Sequence, residues 1–173
     1  LYNQVVTING VSKSFAMTGW RLGYIGAPLH IAQACTKIQG QFTSGTSSIS
    51  QRAAIAAVSA NPSEIHEMRD AFLSRRDFIL EELNKIKGIN INQPQGAFYV
   101  FPDVSAFFNK SYGNFTVTNS DQLAMYILET AKVAVVTGNA FGSPNCIRIS
   151  YASSMEKLKD AMDRIATALN NLN

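Results

Sequence analysis

The chain has 173 residues, 46% hydrophobic and 16% charged, which fits one globular domain or slightly more with enough apolar residues for a core. Fifteen Lys and Arg stand against twelve Asp and Glu, a formal charge of +3, and the basic residues are dispersed, so the balance does not point to nucleic acid. Cys35 and Cys146 stand far apart with no second Cys or His at metal spacing, no apolar run reaches the roughly 18 to 20 residues that cross a bilayer, and no signal-peptide pattern opens the chain; a disulfide framework, a zinc site and a membrane span are not indicated, and a reducing cytoplasm is favoured.

The chain starts at Leu1 without Met and runs directly into an apolar segment, so an upstream portion is expected. The β-branched residues 5–8 predict a short buried strand, and Asn9-Gly10 a turn. A polar loop at 11–19 leads to a second strand over 21–27, stopped by Pro28, so two strands bracket a loop that holds one lysine. Ile31, Ala34, Cys35, Ile38 and Phe42 recur at helical spacing and predict a helix over 29–42 with Cys35 in its core face; a second helix is expected over 48–60.

Asn61-Pro62-Ser63-Glu64 combines a capping Asn, a Pro at the first helical position and a Glu able to bond back, and it predicts the start of a long helix ending by Gly88. Strands are expected over 89–93 and 97–101 around the turn Gln93-Pro94-Gln95-Gly96. Residues 105–117 read as a covering loop, and a helix follows with a cap near Ser120. Strands over 133–136 and 147–151 flank the Gly-rich loop 138–145. The last helix is expected from a capping box of Ser153 and Glu156 to about Leu169. Strands and helices thus alternate throughout, without an internal repeat. His30 and His66 have no partner at catalytic spacing and read as surface or capping residues.

The informative segment is Ser12-Lys13-Ser14-Phe15-Ala16-Met17-Thr18-Gly19-Trp20-Arg21-Leu22-Gly23-Tyr24. Hydroxyls and open backbone amides can donate to a phosphate, glycine lets the backbone come close, arginine offers a two-pronged fork, and an adjacent lysine can form an imine with an aldehyde. Without further information a solvated lysine and a strand-edge arginine fit the same residues.

The whole string resembles the cofactor-lysine signature of the class I and II aminotransferases. That resemblance implies that Lys13 binds pyridoxal 5'-phosphate covalently and that Arg21 holds its phosphate, with Ser12 as a further phosphate donor. In some branches the helping hydroxyl sits three residues before the lysine, where this chain has Gly10. Cys146-Ile147-Arg148-Ile149-Ser150-Tyr151-Ala152 is similar to the family's strand that clamps the substrate α-carboxylate, which implies that role for Arg148; the other reading is a strand arginine paired to a carboxylate. Pro94-Gln95-Gly96-Ala97-Phe98-Tyr99 and Gly138-Asn139-Ala140-Phe141-Gly142 resemble segments near the substrate pocket, with Thr137 where proline is more usual. Thr46 and Ser47 correspond to a loop that reaches the phosphate of a neighbouring subunit in related enzymes.

The resemblance covers essentially the entire chain and implies an α/β fold: the C-terminal part of a fold-type I pyridoxal-phosphate-dependent transferase, with residues 1–60 ending the large cofactor domain and 61–173 forming an α+β small domain. It implies amino-group transfer between an L-amino acid, aspartate foremost, and a 2-oxo acid, by a cytoplasmic homodimer that uses no metal. The ring-nitrogen aspartate, the stacking aromatic residue and the Gly-rich phosphate loop are expected upstream, so 173 residues alone are expected to be inactive. Two other readings share the lysine loop: a pyridoxal-phosphate β-lyase or synthase, and the aminotransferase-like sensor domain of a transcription regulator.

Overall fold

Two glycines decide how the first section closes. β1 (Thr7–Gly10) pairs antiparallel with β2 (Gly23–Gly26) in the register Thr7↔Gly26 to Gly10↔Gly23. A Cβ on Gly10 would meet the Leu22 carbonyl at 3.2 Å, and one on Gly23 the Asn9 carbonyl at 3.3 Å, so the strands come together at this neck because neither residue has a side chain. The computed structural model that shows this describes residues 1–173, the side chain of Tyr2 excepted. The chain forms two compact units, Leu1–Glu67 and Met68–Asn173.

In the first unit the strand expected over 5–8 moves two residues on, and Asn9-Gly10, read as a turn, is extended and paired. The pairing partner, not the β-branched run, sets the strand, and Ile8 is 77% exposed where a buried strand was expected. α1 (Leu29–Phe42) and α2 (Ser48–Ser59) match the helical periodicity. No residue of α1 is buried, and Cys35, expected in a helix core, is exposed. Asn61 caps as its sequence suggests: its side chain accepts from the Ser63 amide at 3.0 Å, Pro62 opens a 3-10 turn, and α3 (His66–Lys85) continues.

The second unit is built on a three-stranded antiparallel sheet of β3 (Tyr99–Val100), β6 (Val136–Thr137) and β7 (Ile147–Ser150), with β7 in the middle. Ile147 and Ile149 alternate inward from β7 and meet Leu123, Tyr126 and Ile127 of α4 (Ser120–Ala131) and Leu158, Met162, Ile165 and Leu169 of α5 (Met155–Asn170). The α5 residues recur every three or four positions, which is the one-sided stripe a helix needs to cover a sheet. Ile79 and Leu83 of α3 join the same core. The Tyr126 hydroxyl, deep in this core, is satisfied, since it donates to the Ala168 carbonyl at 2.8 Å.

Several boundaries differ from the sequence reading. The strand expected over 89–93 is a single bridge between Asn90 and Asp103. The expected covering loop 105–117 contains a hairpin, β4 (Lys110–Tyr112) with β5 (Phe115–Val117), turned by Gly113 at φ +59°. Asn119 caps α4 by accepting from the Gln122 amide, and Ser154 caps α5 by accepting from the Lys157 amide, each one residue from the expected cap.

Gly138, which follows β6, is buried with its α-carbon against backbone. An added Cβ would lie 2.1 Å from the Ser143 carbonyl and 2.3 Å from that of Cys146. Backbone atoms cannot give way as a side-chain tip can, so Gly138→Ala is expected to cost on the order of 3 kcal/mol or more. Urea unfolding of the variant checks this, and a loss of less than about 0.5 kcal/mol, the usual range for an unimportant surface change, would contradict it.

Candidate active site

The neck at Gly10↔Gly23 holds the ends of the loop 11–22, from which Ser12, Lys13 and Arg21 all project. Val11 is fully buried and anchors the loop, while Ser12 beside it is half-buried and Lys13 is exposed on a turn closed by the Ala16 amide donating to the Lys13 carbonyl at 3.2 Å. Ala16 (φ +53°) and Arg21 (φ +51°) adopt the left-handed conformation, which residues with a Cβ adopt at a cost, and both lie in this one loop. Arg21 uses one nitrogen of its fork, Nη1, to donate to the Thr18 carbonyl at 3.0 Å, which orients the guanidinium on its own loop. Thr46 is half-buried and lines a groove of about 510 Å³ together with Leu22, Gly23 and Tyr24.

Charge is distributed more unevenly than the whole-chain figure suggests. Residues 1–60 hold Lys13, Arg21, Lys37 and Arg52 and no Asp or Glu, so the entire acidic complement lies beyond them. A segment with cations alone favours an anion near the lysine loop through its summed field. That signal was present in the sequence but was hidden by the overall balance. Pyridoxal phosphate needs an amine for its aldehyde and donors for a phosphate dianion; an exposed lysine beside a half-buried hydroxyl and an oriented guanidinium, in a loop without carboxylates, fits that group.

In the second unit, alternation along β7 fixes Arg148. Ile147 and Ile149 are buried, so Arg148 and Ser150 face away from the core. Tyr99 pairs directly with Ser150 across the sheet, which places its ring diagonally beside Arg148 on the same face. The Arg148 guanidinium carbon sits 5.4 Å from the Tyr99 ring centroid and 4.8 Å from that of Phe141. Both distances are within cation–π range. Phe141 in turn meets Phe101 edge-on at 5.9 Å. Among the described residues of this unit no carboxylate is within ion-pair distance of Arg148, so the fork itself is left to meet one from elsewhere.

Two anchors hold the rings. Tyr151, buried at the end of the Arg148 segment, donates its hydroxyl to the Ala97 carbonyl at 3.1 Å, and Ala97 itself is left-handed at φ +70° just before Tyr99. Phe141 ends the 3-10 turn Gly138–Phe141, which is tied to α4 twice: Ser120 Oγ and Thr137 Oγ1 share a hydrogen bond at 2.9 Å, and the Asn139 side chain donates through Nδ2 to Asp121 Oδ2 at 2.8 Å. Hydrogen bonds from Thr137 and then Asn139 hold the Asp121 carboxyl below the usual carboxylate range. The sequence pointed to the segments of Tyr99 and Phe141 but not to their rings as partners of Arg148, nor to Asp121. The register that brings them together is set by strand pairing and could not be read from local spacing. Cys146 precedes Ile147, and burial, then the charge of Asp103, pushes its thiol up, which disfavours a nucleophilic role.

Lys13, Arg21 and Ser12 thus share one loop of the first unit, and Arg148 stands on the sheet of the second. Comparison with known proteins bears on both. The family description "Aminotransferase class I and II" matches residues 2–165. A Petunia hybrida protein named as a bifunctional aspartate aminotransferase and glutamate/aspartate-prephenate aminotransferase is 47% identical over 98% of this chain, which covers 36% of that protein. An aspartate aminotransferase of Rhizobium meliloti is 44% identical over 99% of this chain and 42% of its own length. The crystal structure of a Rhizobium meliloti aspartate aminotransferase superposes with a TM-score of 0.95 at 41% identity, covering all of this chain and 44% of that one. That of an aromatic aminotransferase from Pyrococcus horikoshii gives 0.88 at 35% identity, over 98% of this chain and 44% of the other. The chain therefore spans well under half the length of these relatives.

The Asp121 tether has a pH signature. Its folded pKa lies below its unfolded value, so its contribution to stability is fully present above the ordinary carboxylate range near pH 4 and fades as pH falls through the folded value. Asp121→Ala should lower the urea midpoint at pH 7, and the gap from the parent should close on acidification to about pH 2. A gap that is unchanged down the titration would show that the Asp121 hydrogen bonds do not depend on its charge.

Proposed function

The chain belongs to the class I and II aminotransferase family, and from that membership we propose that it contributes the covalent cofactor site and the substrate-carboxylate site of an enzyme transferring an amino group between an L-amino acid and a 2-oxo acid. Aspartate is the proposed donor, in keeping with the names of the relatives. Residues 1–60 would end a large cofactor domain and 61–173 would form a small domain, in a cytoplasmic homodimer. The observation that carries the substrate side is the Arg148 fork, fixed between two rings with no carboxylate partner in its unit.

Pyridoxal phosphate, when bound, supplies an aldehyde that condenses with amines and a ring that draws electrons from the bonds of the attached carbon. Lys13 Nζ is proposed as the amine that holds it, exposed on its turn and so open to replacement by the substrate amine. Once released, the same nitrogen would take the proton from the substrate Cα and deliver it to the carbon of the former aldehyde, which makes Lys13 anchor and general base in turn. Arg21 and Ser12 are proposed to hold the phosphate, the guanidinium through the donors left after its bond to Thr18. Arg148 grips the α-carboxylate by two parallel hydrogen bonds and so fixes which Cα substituent meets the base. Residues 1–60 contain no carboxylate to pair with the ring nitrogen, so that charge has to come from outside them.

The test is Arg148→Lys in the whole cofactor-loaded enzyme to which this chain contributes. Lysine keeps the charge but has no fork, so kcat/KM should fall roughly ten- to a hundredfold for aspartate and for other amino donors alike. A loss confined to dicarboxylic substrates would make Arg148 a side-chain reader, and an unchanged rate would remove it from the site.

A further inference from the structure

We propose that Phe141 is a positioning residue for the Arg148 fork, and that Asp121, acting through Asn139, is what keeps the Phe141 ring there. The inference rests on the carboxylate role proposed for Arg148 and deepens it, by saying why the fork points in one direction. An arginine standing on the open face of a sheet has several rotatable bonds and would lose much of that freedom on gripping a carboxylate. Here the guanidinium already meets two ring faces, Tyr99 at 5.4 Å and Phe141 at 4.8 Å. The rings attract the cation by their faces and do not compete for its N–H donors, so the fork can be held without being used up. A carboxylate in the same place would hold Arg148 more strongly and block the ligand.

The two rings differ in how they are placed. Tyr99 is on the sheet itself, paired with Ser150. Phe141 is at the end of a short turn and is 49% exposed, so core packing alone does not fix it. What fixes it is the turn: buried Gly138, the Thr137 hydroxyl accepting from the Asn139 amide at 3.2 Å, and the Asn139 side chain held by Asp121 at the start of α4. Gly142, left-handed at φ +74°, then turns the chain away immediately after the ring. Asp121 does not touch the ligand in this arrangement; its effect passes through Asn139, the turn and the ring to the guanidinium.

The experiment measures, in the whole cofactor-loaded enzyme, the dissociation constant of maleate by calorimetry together with KM and kcat for amino donors. Phe141→Leu keeps an apolar side chain but removes the ring face; it should weaken maleate binding and raise KM roughly three- to tenfold for every donor, with kcat changed much less. Phe141→Tyr keeps the face and should restore both. Asp121→Ala should move both in the same direction, and Asp121→Asn, whose side-chain oxygen still accepts from Asn139, should recover most of the loss. Thermal unfolding of each variant identifies any that fail to fold, and the Phe141→Leu and Phe141→Tyr pair, at a half-exposed position, decides the matter alone. If Arg148→Lys weakens maleate while Phe141→Leu does not, or if Phe141→Leu lowers kcat alone, the positioning role is overturned and the carboxylate role stands. If Arg148→Lys also leaves maleate binding unchanged, both are overturned.

Discussion

Side chains on a strand alternate between its two faces, and β7 can bury Ile147 and Ile149 only by turning Arg148 and Ser150 the other way. That constraint ties the stability of the second unit to its chemistry. The isoleucines sit in a core completed by α3, α4 and α5, and each contributes roughly 1.5 to 3 kcal/mol through burial. Slipping β7 by one residue would expose both and bury the guanidinium, losing the core and desolvating a charge together. The orientation of Arg148 is therefore held by the whole hydrophobic layer beneath it, and the flanking strands add the rest: Tyr99 from β3 on one side and, through the turn after β6, Phe141 on the other.

The first unit solves a different problem, the presentation of an amine on a loop with both ends fixed. Gly10 and Gly23 permit a close neck, Val11 anchors the loop by burial, and two left-handed residues bend it around Lys13. Strain of this kind persists only where the surroundings enforce it, and its concentration between Ala16 and Arg21 agrees with a binding role. No residue of 1–60 is acidic, so no carboxylate of that segment competes with an anion for Arg21.

Helices were the most legible part of the sequence, because their signals are local. The bounds of α1 match the apolar spacing at both ends, and Asn61-Pro62 begins its turn with the expected side-chain bond. Strands depend on partners that local sequence does not name, which is why β1 is shifted two residues along from the β-branched run and why residues 89–93 pair only at Asn90. Periodicity also says that a helix has an apolar face, not that the face is covered, so Cys35 belongs to such a face and is nonetheless exposed. At the candidate site, Lys13, Arg21, Ser12 and Arg148 were named from their motifs. Phe141 is near Arg148 in sequence, but the Tyr99 ring and the Asp121 tether come from residues tens of positions away, which only strand pairing and the contact of α4 with the turn bring together.

The central claim is that Lys13 is the residue that carries the cofactor. It is tested most directly by reducing the pyridoxal-phosphate-loaded protein with borohydride, digesting it and locating the pyridoxyl group by mass spectrometry. The account predicts a single labelled peptide with the group on Lys13 Nζ. A label on Lys37 or any other lysine, with Lys13 unmodified, would contradict it.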